Sequence, residues 1–188
     1  MEQNKKEQIK RNSTKNLVSV GMFAAVLAVL AQLSIPMPTG VPITLQTFAV
    51  ALTAYVLGAK LGLAAVFIYV LVGAVGLPVF ANFNGGIGAL TGMTGGFIWG
   101  FFVMAFLCGA GMEQNKKVLL PVMSAAGLLI CHLIGIIQFM LITDMTFAAA
   151  AAAVSIPYLL KDIISVAAAY VLAVTLRRAL RTAGMAAA

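Results

Sequence analysis

The sequence predicts an all-α membrane protein of six transmembrane helices, and three observations predict it. Of 188 residues, 62% are hydrophobic and only 9% charged, whereas ordinary soluble domains carry roughly 25% charged residues. Eleven of the twelve Lys and Arg residues fall in four short clusters. The apolar stretches between those clusters have the length of helical hairpins. So little charge could not hydrate the surface of a soluble domain of this size, and a disordered chain would be poorer in apolar residues. The bilayer is the natural solvent, and the length suits one compact domain.

The N-terminal tail, residues 1–15, carries Lys5, Lys6, Lys10, Arg11 and Lys15. The later clusters are Lys60, then Lys116 with Lys117, then Arg177, Arg178 and Arg181. Cations near span ends are held on the cytoplasmic side, so an even number of crossings joins successive clusters. The intervals 16–59, 61–115 and 118–176 hold 44, 55 and 59 residues. At about 20 residues per span, each takes two helices. Both termini are therefore expected to be cytoplasmic, with 16–176 as the membrane domain and 177–188 as a C-terminal tail.

The predicted helices are 16–35, 44–58, 61–79, 95–111, 118–140 and 157–176. The first covers the apolar run Leu17–Leu33, too long for a signal-peptide core and without a small-residue cleavage site, so it is expected to remain as a span. Pro36, Pro38, Gly40 and Pro42 break the first hairpin; Pro78 and the stretch 82–96 break the second. In the third, Asp144 and the alanines 148–153 predict a short helical or irregular loop before Pro157, which suits a first helical turn. The segment Met1–Lys6 recurs as Met112–Lys117, but its flanks do not, so it marks no domain duplication.

Several chemistries are excluded. Cys108 and Cys131 lie in apolar runs without metal-ligand spacing. The net charge of +7 is dispersed between apolar segments instead of forming a nucleic-acid-binding stripe. No P-loop motif and no hydrolase motif accompanies the single histidine, His132, which reads as a helix residue satisfied by a neighbouring backbone group or hydroxyl. The chain is expected to be no enzyme and to need no cofactor or metal.

Polar residues gather at the predicted outward ends: Thr39, Thr44, Gln46 and Thr47; Asn82, Asn84, Thr91 and Thr94; Tyr158, Lys161 and Asp162. That layout suits either solvated loops or a pocket that opens outward. Lys161 and Asp162 favour the pocket, because charges one turn inside a helix need a partner or a ligand. Adjacent helix residues do not face each other, so pairing between these two is not expected. The loop Phe80–Gly88 combines glycines that let backbone donors approach a ligand with two aromatic walls. Small-residue pairs, Ala24 with Ala28, Gly58 with Gly62, and Gly92, Gly96 and Gly100, mark close helix packing, and the pair on the first helix could equally dock a partner.

The stretch Ser34-Ile-Pro-Met-Pro-Thr-Gly-Val-Pro-Ile-Thr-Leu-Gln-Thr-Phe-Ala-Val50 resembles the BioY family. So do Gly73-Ala-Val-Gly-Leu-Pro-Val-Phe-Ala81, Leu90-Thr-Gly-Met-Thr-Gly-Gly-Phe97 and Ile156-Pro-Tyr-Leu-Leu-Lys-Asp-Ile163. That family comprises the biotin-specific substrate-binding (S) components of energy-coupling factor (ECF) transporters. The resemblance implies a six-helix vitamin receptor that opens outward and works with a transmembrane coupling subunit and two ATPase subunits. It implies that Ala24 and Ala28 meet the coupling subunit, and that Asn84, with Gly85 and Gly86, and Asp162 hold the ligand. For biotin, Asp162 and Asn84 suit the ureido ring, Phe80, Phe83 or Tyr158 would wall the bicycle, and Lys161, Thr44 and Gln46 are candidates for the carboxylate. An S component for another vitamin and a passive facilitator working alone are the alternatives.

Overall fold

A computed structural model describes residues 2–114, 116 and 118–182, with side chains from Ser13 onward. The expectations for Lys117, for 183–188, and for the side chains of Lys5, Lys6, Lys10 and Arg11 lie outside the described residues. Among the described residues, eight α-helices account for most of the chain: α1 (Glu2–Ala31), α2 (Gln46–Leu57), α3 (Ala59–Ala74), α4 (Ile87–Thr91), α5 (Gly95–Glu113), α6 (Leu119–Thr143), α7 (Phe147–Val154) and α8 (Ile156–Thr182). Two-residue strands β1 (Ser34–Ile35) and β2 (Ile43–Thr44) pair antiparallel, with Ser34 opposite Thr44, across the Pro-rich break.

The six long helices alternate in direction. Gln46 at the start of α2 bonds Tyr69 near the end of α3, and Gly62 packs on Ala54. In α5 and α6, Gly96 meets Ile134, Gly100 meets Cys131, and Gly111 meets Leu120, an antiparallel register held over the full contact. All three long connections, 32–45, 75–94 and 144–155, thus lie at one end. The other end collects the chain reversal at Gly58, the α5–α6 connection and the C-terminal turns of α8.

Among the described residues, four helices are long and apolar enough to cross a membrane: the Ser13–Ala31 part of α1, and α5, α6 and α8. At 12 and 16 residues, α2 and α3 are about 18 and 24 Å long, short for a bilayer of about 30 Å. Large apolar side chains, among them Val29, Phe67, Leu71, Leu129, Leu141, Ile164 and Val171, are exposed around the bundle, as a lipid-facing surface requires. Inside it, Tyr55, Tyr69, Leu27, Met104, Val50 and Val66 are fully buried. Two fully buried hydroxyls are satisfied: Tyr55 donates to Ser124 Oγ at 2.7 Å, and Thr53 to the Ala49 carbonyl at 2.7 Å.

Some boundaries differ from expectation. Residues 2–15 are helical and continuous with α1, because Glu, Gln, Lys and Arg are strong helix formers. Residues 177–182 likewise extend α8. Helix α3 stops at Ala74, before Gly76 (φ +106°) and Pro78. The break at 82–96 contains α4, and the alanine run forms α7, capped by Thr146 accepting from Ala149 N. The small-residue signals act internally: Gly96 and Gly100 on α6, Gly62 on α2, Gly92 on Gly88 of α4, and Gly58 on Glu113 of α5.

The α2–α3 reversal depends on one glycine. Gly58 has φ +84°, and a Cβ there would strike the Glu113 carboxylate, which accepts the Ala59 N–H at 2.8 Å. An acid from α5 thereby serves the first turn of α3, where the backbone lacks an internal acceptor.

Candidate functional site

At the end with the long connections, a cavity of about 290 Å³ opens between β2, the 80–94 segment and the starts of α5 and α8. Small-molecule pockets run from about 300 Å³ upward, so this one suits a compact ligand. Its polar side is built by α8. Asp162, only 5% exposed, points into the bundle. Its Oδ1 lies 2.5 Å from Lys161 Nζ and its Oδ2 lies 3.2 Å from His132 Nε2 on α6.

The pairing of Lys161 with Asp162 overturns the expectation that neighbouring helix residues cannot pair. The Cβ atoms diverge, but the four-carbon lysine stem curls back far enough for its ammonium to meet both the carboxylate and the Thr44 carbonyl, at 2.9 Å. That second bond ties α8 to β2. On the far side of Asp162, a carboxylate only accepts, so Nε2 of His132 carries the donated proton. Nδ1 of the same ring meets the Ser155 hydroxyl at 2.9 Å. The histidine is satisfied by a hydroxyl as expected, and in addition by Asp162. Oδ1 of Asp162 is fully buried against the Lys161 ammonium, and the Thr47 side chain also reaches the carboxylate.

A second polar group comes from β2 and α2. Gln46 donates through Nε2 to Tyr69 at 2.8 Å and accepts from Thr44 Oγ1 at 3.2 Å, which fixes its carboxamide against the cavity. Tyr158 donates to the Val41 carbonyl at 2.6 Å and meets Thr39 Oγ1 at 3.1 Å, so the Pro-rich segment is anchored onto α8.

The opposite wall is the 80–86 loop. Asn82 and Phe83 have φ of +57° and +56°, which a bulky Phe adopts only against a steric penalty. Gln32 just past the end of α1 holds them there: its Oε1 accepts the Phe83 N–H at 2.9 Å, and its Nε2 donates to the Phe80 carbonyl at 3.2 Å. Ser34 donates to Asn82 Oδ1 at 2.7 Å. The outcome places the Phe80 ring inside, edge-on to Tyr69 and against Gly73, while Asn84 stands at the rim. Asn84 Oδ1 accepts from Gly85 N at 3.0 Å, which leaves its Nδ2 without a partner among the described residues.

Of the residues singled out from sequence, Thr44, Gln46, Asn84, Tyr158, Lys161 and Asp162 line this cavity. Phe83 does not: it is 71% exposed on the outer side of its loop. Gly85 and Gly86 are also off the lining. Gly85 packs on the Leu77 carbonyl, and Gly86 donates to Gly73 O at 2.7 Å, so both shape the loop instead. Thr47, Met93, Phe97, Phe101 and Val154 line the cavity without having been singled out as binding residues. Their apolar or helical setting reads as core packing in one dimension, and no local signal separates the two. Ala24 is buried in the bundle and Ala28 half-buried, so the outer face of α1 is formed by Leu17, Val18, Met22 and Val29. No cluster of metal-binding side chains occurs among the described residues.

A bundle with an apolar exterior, several membrane-length helices and a polar cavity at its end defines a multi-pass membrane protein with a pocket of small-molecule size. A family profile described as BioY matches residues 2–182. The biotin transporter BioY of Thermotoga maritima is 47% identical over 123 residues, 65% of this chain and 72% of that one. The probable biotin transporter BioY of Pyrococcus horikoshii is 38% identical, covering 85% and 94%. The chain belongs to the BioY family. Its relatives are transporters, so the function is transport and not catalysis. The fold is also that of a solved structure, the S-component for biotin from an ECF-type ABC transporter, with a TM-score of 0.79 at 23% identity over 89% of this chain and 93% of that one.

Proposed function

We propose that this chain is the biotin-binding S component of an ECF-type importer, with six spans and both termini cytoplasmic. Capture would occur in the 290 Å³ cavity, from outside. The observation that carries the reading is Asp162: a buried carboxylate on the cavity lining, paired with Lys161 and His132, in a family whose relatives transport biotin. Biotin's ureido ring presents two N–H donors and a carbonyl. The donors suit Asp162, and the free Asn84 Nδ2 suits the carbonyl. Phe80, Phe97 and Tyr158 supply flat walls for the bicycle. Thr44, Gln46 and Lys161 supply the remaining polar contacts, and the valerate carboxylate would meet Lys161 or the Thr44–Gln46 pair.

ATPase subunits and a transmembrane coupling subunit would supply the energy this chain has no motif to harness. Ala24 and Ala28 are the proposed coupling positions on α1, of which the half-buried Ala28 is the one a partner reaches without displacing α1. The test is biotin binding by the purified chain in lipid nanodiscs, with a competition panel of other vitamins. Stoichiometric, selectively competed binding supports the reading; no binding of biotin, or preferential binding of another vitamin, sinks it.

A further inference from the structure

The opposite end of the bundle carries a second and larger recess, of about 960 Å³. It lies between α1 and α8, which both pack on α2 without packing substantially on each other, and it is floored by the ends of α2 and α5. On the α1 side Val18, Met22 and Phe23 form an apolar strip, with Thr14, Lys15 and Ser19 beside it and Val56 and Met112 beneath. The other side is Arg177, Arg178 and Arg181, three guanidiniums within five residues of α8.

Arg177 and Arg181 are one turn apart, a like-charge spacing that costs stability in a helix. Among the described residues none of the three arginines is ion-paired. Glu113 is the acid on the recess, and its Oε1 already accepts the Ala59 N–H. Three arginines facing one acid, Glu113, leave the recess with an excess of positive charge beside an apolar strip, which fits an amphiphile whose head is an anion.

We propose that this recess binds an anionic glycerophospholipid, with its phosphate on Arg177, Arg178 and Arg181 and an acyl chain along Val18, Met22 and Phe23. The lipid fills the gap between α1 and α8 and joins helices that do not otherwise pack together.

The test uses the full chain, delipidated and returned to mixed phosphatidylglycerol and phosphatidylcholine, with retained lipid read by native mass spectrometry. Phosphatidylglycerol is expected to be retained at least tenfold over phosphatidylcholine. Exchange of all three arginines for Gln is expected to abolish the preference with helicity by circular dichroism unchanged. Ser19→Trp, which fills the recess and keeps every charge, is expected to weaken retention as well, and decides the matter if the triple variant does not fold. Equal retention of both lipids, or undiminished preference in both variants, overturns the proposal. So does displacement by inorganic phosphate at equal concentration, which would make the site one for free anions. A triple variant that keeps its lipid but fails to assemble with a coupling subunit would mark the recess as a protein interface and overturn it too.

Discussion

His132 Nε2 on α6 lies 3.2 Å from Asp162 Oδ2 on α8, and the same ring is held from behind by Ser155. The histidine therefore orients the carboxylate that faces the cavity without lining the cavity itself. His132→Ala is expected to leave Asp162 free to swing toward Lys161 and to weaken biotin binding about tenfold, since a bond to a charged group is worth roughly 1.5–3 kcal/mol. His132→Gln keeps a donor and is expected to recover most of that loss. Calorimetric titration distinguishes the two, and equal loss in both variants would show that only ring packing matters.

Asp162 itself is the sharper case. Asp162→Asn keeps the shape, but it removes the buried charge that balances Lys161. Truncating one partner of such a pair costs about 2–5 kcal/mol, so affinity for biotin is expected to fall by at least tenfold. Unchanged affinity would remove Asp162 from the site. Lys161→Met is expected to weaken binding as well, and to loosen β2 by losing the bond to the Thr44 carbonyl. Hydrogen exchange across 41–46 reports that loosening.

How far the sequence foretold this arrangement varied with the range of the interaction. Charge clusters and proline breaks foretold the long helices because span length and cation placement are set locally by the bilayer. The polar residues at the hairpin ends were also legible, since apolar helices make every buried polar group conspicuous. Three things were not. The Lys161–Asp162 pair depends on side-chain reach that helical spacing ignores, and the His132 contact joins positions thirty residues apart. The outward turn of Phe83 follows from a backbone conformation imposed by Gln32, a residue that carries no motif.

That last relationship can be tested directly. Phe83 is exposed and sits at φ +56°, so its ring contributes little packing while its backbone is strained. Phe83→Asn, which accepts the left-handed region more readily, is expected to leave the melting temperature unchanged or raise it, by up to about 1 kcal/mol of stability. Gln32→Leu removes the acceptor of Phe83 N–H and is expected to raise exchange across 80–86 and speed biotin release. A melting temperature clearly lowered by Phe83→Asn would mean that the ring packs against something.

Glycines in apolar helices look alike in one dimension, yet the bundle gives two of them opposite tolerances. A Cβ on Gly100 would lie 2.7 Å from Cys131 Cα and 3.0 Å from the Cys131 carbonyl, so backbone on α6 would have to move. The α5–α6 register runs through Gly96, Gly100 and Gly111, and helices in lipid associate through such close approach without hydrophobic drive. Gly100→Val is therefore expected to destabilise the protein by about 1–3 kcal/mol or more, as overpacking does, and to prise α5 from α6. A Cβ on Gly21, on the outer face of α1, would meet nothing within 4 Å. Gly21→Ala gains helix propensity with no clash and is expected to stabilise by up to about 1 kcal/mol. Thermal unfolding in detergent should move the two variants in opposite directions; a shared direction would show that the α5–α6 seam is looser than these distances require.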